Sequence, residues 1–531
     1  MQFKKSYLVS AFSIVTICVS AQKKAPENWF NLDPNDNKVY GVSTEKTYKE
    51  LLKGKKSNPV IVAVIDGGTE VYHADLKNVI WHNSREIAGN NKDDDKNGYI
   101  DDINGWNFIG GNDTNVVQDN LEITRIFNTY NQKFSGLAEG EVLSSEKDEF
   151  KLYKKAALLY EKKYENAERL YMVYSKIEES ILKLKTFLGN KKPTIALIKT
   201  YPAKEIFDKI AVDNVLIIVK QNKSINDLLV EIGEGKNYFK TQLDYHLSKD
   251  FDSRKIIGDN YSDLTESIYG NNYVSGPKGD HGTHVAGIIA ATRNNSEGIN
   301  GVAENAQIMV LRVVPDGDER DKDVANAIKY AVDNGAKIIN MSFGKALSPN
   351  KTYVDEAIKY AMDKDVLVIH AAGNDNQNID TVENYPTARF YNSELSARAW
   401  IEVGASSWKQ KKYLTATFSN YGKKTVDIFA PGVDIYSCIP ESKYATFNGT
   451  SMAAPVVAGM AAVLRSYFPE ITAEQTKNLI TESAIKYNKK VFIPSTKVKV
   501  KLSDICITGG IANLYNAIQL GVKKGYKLSE K

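Results

Sequence analysis

The chain alternates two hydrophobic rhythms. Val60-Ile61-Val62-Ala63-Val64-Ile65 is an unbroken apolar run closed by Asp66-Gly67-Gly68. A β-branched run with no polar face predicts a strand buried on both sides, as in the core of a parallel sheet. The pattern returns at Ile308–Val314, Ile338–Met341 and Val366–Ile369, with stretches of helical period at 322–334 and 353–364 between them. Strands alternating with helices predict an α/β fold built on a doubly wound, mostly parallel sheet. Right-handed crossovers then line up the carboxyl ends of the strands along one edge, where ligands bind in such sheets.

One long segment keeps a different period. No proline occurs between Pro59 and Pro193. Phe150, Tyr153, Ala157, Tyr160, Tyr164, Ala167, Tyr171 and Tyr174 step alternately by 3 and 4, and after one extra step of 3 the seam runs on through Ile177, Ile181, Leu184 and Leu188. The spacing predicts a helix of about 40 residues with a stammer-like break at 174–177, ending at Gly189-Asn190. Ser224 is placed to cap a second helix through Leu228, Leu229 and Ile232, resuming near Tyr238. The expected shape is an antiparallel helical hairpin. Two roles stay open for it: plain packing on the core, or an arm that contacts substrate or another chain.

The N-terminus bears on location. Lys4 and Lys5 precede an apolar run from Tyr7 to Val19, which closes in Val19-Ser20-Ala21. A basic start, a short apolar stretch and small residues before the cut form a signal peptide cleaved after Ala21. The run has about 13 residues, against ~20 for a membrane span. The expected location is extracellular or periplasmic, with no stable membrane span. Residues 22–58 are polar, with Trp29, Phe30, Leu32 and Tyr40 as packing points. A formal charge of +4 over 531 residues is too small to argue a nucleic-acid partner. Three cysteines exclude a disulfide-dense scaffold; Cys438 and Cys506 remain after the cut, and their pairing is left open.

Three segments concentrate chemistry. Asp66 ends the first strand. His281 lies in Asp280-His281-Gly282-Thr283-His284-Val285-Ala286-Gly287, and Ser451 in Asn448-Gly449-Thr450-Ser451-Met452-Ala453-Ala454-Pro455. Taken singly, each has a plainer reading: an Asp capping a turn, a histidine pair at i and i+3 sharing a metal, a helix N-terminus. Together, in the order Asp, His, Ser, they make a set suited to nucleophilic catalysis. A serine hydroxyl needs a base to take its proton, imidazole titrates near ~6.5, and a carboxylate can hold the ring tautomer.

Through these three segments the chain resembles the subtilisin-like serine proteases, or subtilases, over about 59–110 and 271–520. The resemblance implies a serine endopeptidase acting on protein or peptide substrates, with Asp66, His281 and Ser451 as acid, base and nucleophile. It also implies that Asn374, in Ala371-Ala372-Gly373-Asn374, donates to the oxyanion, and that Ser342-Phe343-Gly344 pairs with the substrate backbone. Lys345, Asp375 and Asn384 depart from the family pattern, and their side chains are candidates for tuning the specificity pocket. The other readings carried are a catalytically silent peptide-binding or scaffold protein, and a serine exopeptidase or transferase on the same fold.

No organic cofactor is expected. Calcium is a structural candidate at two places. The loop Asp93-Asp94-Asp95-Lys96-Asn97-Gly98 puts Asp93, Asp95 and Asn97 at positions 1, 3 and 5 of an EF-hand-like pattern, although Asn104 stands where that pattern has its bidentate Glu. The family resemblance adds Asp75 and Asn295. The expected organisation is a signal peptide 1–21, an N-terminal extension 22–58, a peptidase domain 59–118 and 270–522, a helical insertion 119–269 and a tail 523–531.

Overall fold

The computed structural model describes residues 24–530, so the expected signal peptide, 1–21, lies outside the described residues. The first apolar run is strand β1, Val60–Asp66. Its alternate side chains enter different layers. Val62 and Val64 pack with the helices Asp280–Ala290 and Thr450–Tyr467, while Ala63 and Ile65 pack with Asp321–Asp333 and Lys351–Asp363. This two-sided burial is why the run has no polar face.

Around β1 lie β2 (Gly105–Asn107), β3 (Ala306–Arg312), β4 (Ile338–Met341), β5 (Leu367–Ala371), β6 (Trp400–Ser406) and β7 (Ile428–Pro431). One sheet of nine strands runs in the order Ile485–Lys486, Gly510–Ile511, β7, β6, β5, β4, β1, β3, β2. All neighbours are parallel except the terminal strand Ile485–Lys486. From β1 the chain crosses to the edge strand β2, returns inward to β3 beside β1, and then winds outward on the other side through β4, β5, β6 and β7, so the sheet is doubly wound as expected. Asp66, at the carboxyl end of β1, sits at the switch between the two directions. The polar stretch after residue 24 joins this core: Trp29 and Phe30 are buried, and Trp29 Nε1 donates to the Val433 carbonyl at 3.1 Å.

Between β2 and the His281 helix stand four longer helices, Glu122–Phe134, Lys147–Leu188, Ile206–Lys220 and Ile225–Thr241. The expected hairpin is present, because Ile225–Thr241 packs along Lys147–Leu188, and two further helices accompany it. The 42-residue helix, about 63 Å long, serves two separate cores. Phe150, Tyr153 and Tyr160 pack with Ile123, Phe127 and Phe134 in a proximal cluster. Ile177, Ile181, Leu184 and Leu188 pack with Ala211, Val215, Ile218, Leu228 and Ile232 in a distal one. The off-step at 174–177 falls where the distal cluster begins, since Tyr174 already packs against it. Tyr164, expected on the seam, is 37% exposed. Gly235 lets the returning helix pass the seam, since a Cβ on it would lie 2.3 Å from the Tyr174 ring.

A buried charge network fastens the proximal end to the sheet domain. Lys345 Nζ lies 2.7 Å from Glu122 and 2.8 Å from Asp321. Arg125 pairs with Glu122 at 2.7 Å, and Arg320 with Asp119 at 2.7 Å. Asp119, Glu122, Arg320, Asp321 and Lys345 are all buried. The backbone joins in: Asp119 N donates to Asp316 O at 3.0 Å, and Asp316 N to Val117 O at 2.7 Å. The Lys345 side chain, expected at the specificity pocket, is instead spent on this anchor. Its charge meets two carboxylates that reach it from opposite sides of the joint.

Burial by itself raises the Glu122 carboxyl, but the Arg125 and Lys345 charges outweigh it and hold the pKa at about 2, below the ordinary 4.5. Glu122→Ala leaves Lys345 short of a partner and should destabilise the protein by about 3–5 kcal/mol in urea unfolding at pH 7. A depressed carboxylate pKa contributes stability fully above ~4.5, and that contribution disappears as pH falls toward 2. The gap between variant and parent should therefore close on acidification. A constant gap from pH 7 to pH 3 would contradict the ion-pair account.

Candidate active site

Asp66 is 2% exposed where β1 leaves the sheet, and Gly67 N donates to its Oδ1 at 2.7 Å. His281 lies in the first turn of the helix Asp280–Ala290, with Nδ1 at 2.8 and 3.0 Å from the two Asp66 oxygens. A carboxylate only accepts, so Nδ1 carries the hydrogen and Nε2 is left as the basic nitrogen. Burial disfavours the imidazolium, but the Asp66 charge and hydrogen bond override it, and the His281 pKa lies above its ordinary 6.5. The His281 side chain is 42% exposed. A groove of about 340 Å³ runs past it, bordered by Asp66, His281, Ser342, Phe343 and Val117.

Ser451 lies in the first turn of the helix Thr450–Tyr467. Its Oγ donates to the Ser342 carbonyl at 3.0 Å, and Ser342 Oγ returns a bond to the Ser451 carbonyl at 3.0 Å. Among the described residues no hydrogen bond joins Ser451 to His281. The structure thus brings Asp66 and His281 into contact, and ties Ser451 to the Ser342 segment that borders the same groove.

Asn374 follows β5 and is exposed. Its Oδ1 accepts from Thr450 N at 2.9 Å and from Thr450 Oγ1 at 3.0 Å, which leaves its NH₂ free to face away from them. The Ser451 N–H, in a first helical turn, has no intrahelical acceptor. A Cβ placed on Gly449 would lie 3.5 Å from both Asn374 Nδ2 and Ser451 N. Asn374 Nδ2 and the Ser451 N–H thus both lie close to the side-chain-free face of Gly449.

The residue that holds this loop is buried Asn420, which the motifs did not mark. Its Nδ2 donates to Ala372 O at 2.8 Å, and its Oδ1 accepts from Asp375 N at 3.1 Å and Gln377 N at 2.9 Å. Its only sequence signal is a turn-like Ser419-Asn420-Tyr421-Gly422. Of the specificity candidates, Asp375 is exposed. Asn384 Nδ2 donates to Ala372 O at 3.2 Å.

The calcium candidates divide. Asp93 spends its two oxygens on Asn97 N at 3.0 Å and Gly98 N at 2.8 Å, and Asn97 Oδ1 accepts from Tyr99 N at 2.7 Å. These side chains shape the loop. The carboxylate oxygens that converge, within 4.8 Å of one another, belong to Glu86, Asp95 and Asp102. Asp102 is fully buried, and burial raises its pKa. At the second place, Asn295 Nδ2 donates to buried Asp75 at 2.6 Å, so these two residues do meet.

His284 does not share a ligand with His281. It is buried, its Nε2 faces the Ile435 and Ala445 carbonyls at 3.1 Å, and burial pushes its pKa down to about 3. Cys438 and Cys506 are buried, unpaired and in different clusters.

The chain is similar to known proteins over much of its length. The model of the Subtilase family matches residues 57–504. A thermophilic serine proteinase from Bacillus sp. (strain AK1) is 40% identical over 227 residues, which is 43% of this chain and 50% of that protein. Thermitase from Thermoactinomyces vulgaris is 36% identical over 240 residues, 45% of this chain and 75% of thermitase. Subtilisin BL from Lederbergia lenta is 38% identical over 205 residues, 38% and 70% of the two chains. The chain thus spans about half the length of the first of these and about three quarters of the second.

Asn420→Ala strips two backbone N–H groups and a carbonyl of their partner and should destabilise the fold by about 1–3 kcal/mol in thermal melts. Asn420→Asp keeps the acceptor and should cost less. Equal melting of Asn420→Ala and the parent would show that the loop holds itself.

Proposed function

The chain belongs to the subtilase family and is a subtilisin-like serine peptidase, and from that premise we propose that it is an exported endopeptidase working through Asp66, His281 and Ser451. The observation that carries this reading is the Asp66–His281 contact at 2.8 Å, made across 215 positions of sequence. Export is supported by the basic and apolar pattern of residues 4–21. Among the described residues no helix is long and apolar enough to cross a membrane.

In this mechanism the Ser451 hydroxyl leaves the Ser342 carbonyl and turns to His281. Oγ attacks the scissile carbonyl carbon as Nε2 takes its proton. Asp66 keeps the Nδ1 hydrogen in place and stabilises the imidazolium that forms. The carbonyl oxygen gains negative charge between Asn374 Nδ2 and the Ser451 N–H, at the start of a helix whose dipole favours an anion. His281 then protonates the leaving amine, giving an acyl-enzyme. Water repeats the sequence in reverse and releases the acid. The substrate lies extended along Ser342-Phe343-Gly344. Val117, in the segment that leads into the insertion, also borders the groove.

Calcium fits as a structural ion. Glu86, Asp95 and Asp102 would hold it, with hard oxygen donors at a spacing suited to a cation of that size. When bound, it would offset the mutual repulsion of three carboxylates in the loop before β2. Asp75 and Asn295 are a second proposed place.

Ser451→Ala should abolish casein hydrolysis and leave the circular dichroism spectrum unchanged. Asn374→Ala should lower kcat by about 10²–10³-fold with KM little altered, equivalent to about 2.7–4 kcal/mol, the magnitude found for an asparagine donor in subtilisin itself. Hydrolysis at the parent rate by Ser451→Ala would remove that residue as nucleophile.

Excess chelator should lower the melting temperature reversibly, since an ion held only by the native state adds about 2.7 kcal/mol at 100-fold excess over Kd. Asp102→Asn should melt at one temperature with or without chelator. An unchanged curve for the parent would strike calcium from the account.

A further inference from the structure

A histidine and a glutamate lie buried side by side behind the substrate segment. His370 of β5 and Glu402 of β6 are cross-strand partners, 0% and 6% exposed. His370 Nδ1 is 2.9 Å from Glu402 Oε1, and His370 Nε2 is 2.9 Å from the carbonyl oxygen of Phe343. Glu402 Oε2 accepts from Trp400 Nε1 at 2.9 Å. Neither residue belongs to the triad or to the N–H donors near Gly449.

The hydrogens in this chain can be counted. A carbonyl only accepts, so Nε2 must donate to Phe343. One further hydrogen lies between Nδ1 and Oε1, whichever atom carries it. Either way His370 offers an N–H to Phe343, in a place where an unmet polar group is costly.

The direction of that N–H has a consequence for the groove. The Phe343 carbonyl and the Gly344 N–H share one planar trans peptide unit, in which C=O and N–H point in opposite directions. Drawing the carbonyl inward toward His370 therefore turns the Gly344 N–H outward, and Gly344 is exposed. The flanking units are fixed as well: the Ser342 carbonyl accepts from Ser451 Oγ at 3.0 Å, and Lys345 N donates to Tyr385 O at 3.0 Å.

Building on the endopeptidase reading, we propose that His370 and Glu402 are positioning residues that aim the Gly344 N–H at the backbone of an extended peptide substrate. They touch no reacting atom. They act through the orientation of one peptide plane, so their effect falls on substrates long enough to lie along Ser342–Gly344. A small reagent that reaches only Ser451 does not sense it.

The test compares two reactions of the same protein. One is cleavage of extended tetrapeptide amides. The other is covalent capture of Ser451 by a small arylsulfonyl fluoride, in which the Oγ–S bond forms, fluoride leaves and His281 takes the proton. His370→Ala should lower kcat/KM for the peptides tenfold or more, mainly through KM, while capture stays within about twofold of the parent. Glu402→Gln should remain close to the parent in both. Its carboxamide oxygen can accept from Trp400, and its NH₂ can face Nδ1, which keeps the hydrogen on Nε2. Unchanged peptide cleavage by His370→Ala would overturn the proposal, and so would a parallel fall in peptide cleavage and capture. If His370→Ala does not fold, a folded Glu402→Gln that has lost peptide cleavage overturns it equally. Capture of the parent tests the triad by itself: a parent that fails to react refutes the endopeptidase reading, whatever the variants do.

Discussion

The whole arrangement rests on the burial of β1 on both faces. Hydrocarbon covers the strand from either side until Ile65, and Asp66 is the first position at which a polar group can be tolerated. The location of the carboxylate is thus set by where an apolar run stops. A carboxylate 2% exposed needs donors, and Gly67 and His281 supply them. The His281 and Ser451 helices pack against the same face of the sheet, so imidazole and hydroxyl come from one layer. Asn374 comes from the sheet's own carboxyl edge. The candidate site is assembled from a layer and an edge, each held by packing.

The insertion interrupts this assembly without loosening it. A segment placed between β2 and the His281 helix could separate Asp66 from its partner if its base moved freely. Instead the base is fixed by Lys345, one residue beyond Ser342-Phe343-Gly344, and by backbone bonds to Asp316. Buried ion pairs contribute little net stability once desolvation is counted. Their value here is geometric. Carboxylates of the insertion meet cations of the sheet domain in one register, and a shifted base would leave charges unmet.

Much of the fold was legible in the sequence because it depends on runs and periods. β1 and β4 were found at almost their full extent, and β3 and β5 were displaced by one or two residues. β6 was missed because Glu402 interrupts its apolar run, and a charge within a buried strand is tolerated only through a partner, His370, that sequence cannot place. β2 and β7 were too short, and one ends in proline. The long helix and its break were read from spacing alone, whereas the helix Ile206–Lys220 is apolar nearly all round and shows no clear period. The triad segments were recognised through a family resemblance, which could not have shown the groove bordered by Val117. Asn420, Lys345 and His370 were beyond reading for one reason. Each acts on backbone or charge brought close only by folding.

The two-core build of the insertion has a further consequence. The distal cluster buries its side chains almost wholly against one another, and it is joined to the remainder by the middle of one helix and the returning helix beside it. Tyr164 and Met172, in that middle stretch, are 37% and 56% exposed. Cooperativity follows contact, so the far end constitutes a unit of opening separate from the sheet domain. An opening of that unit would let its amides exchange with solvent while the Asp66–His281 pair stayed intact. The proximal cluster, locked to the Asp316–Lys345 face, opens only with the enzyme itself. Two separate clusters imply two stabilities, and a melting curve that follows helix content would weight the distal one more than the site requires.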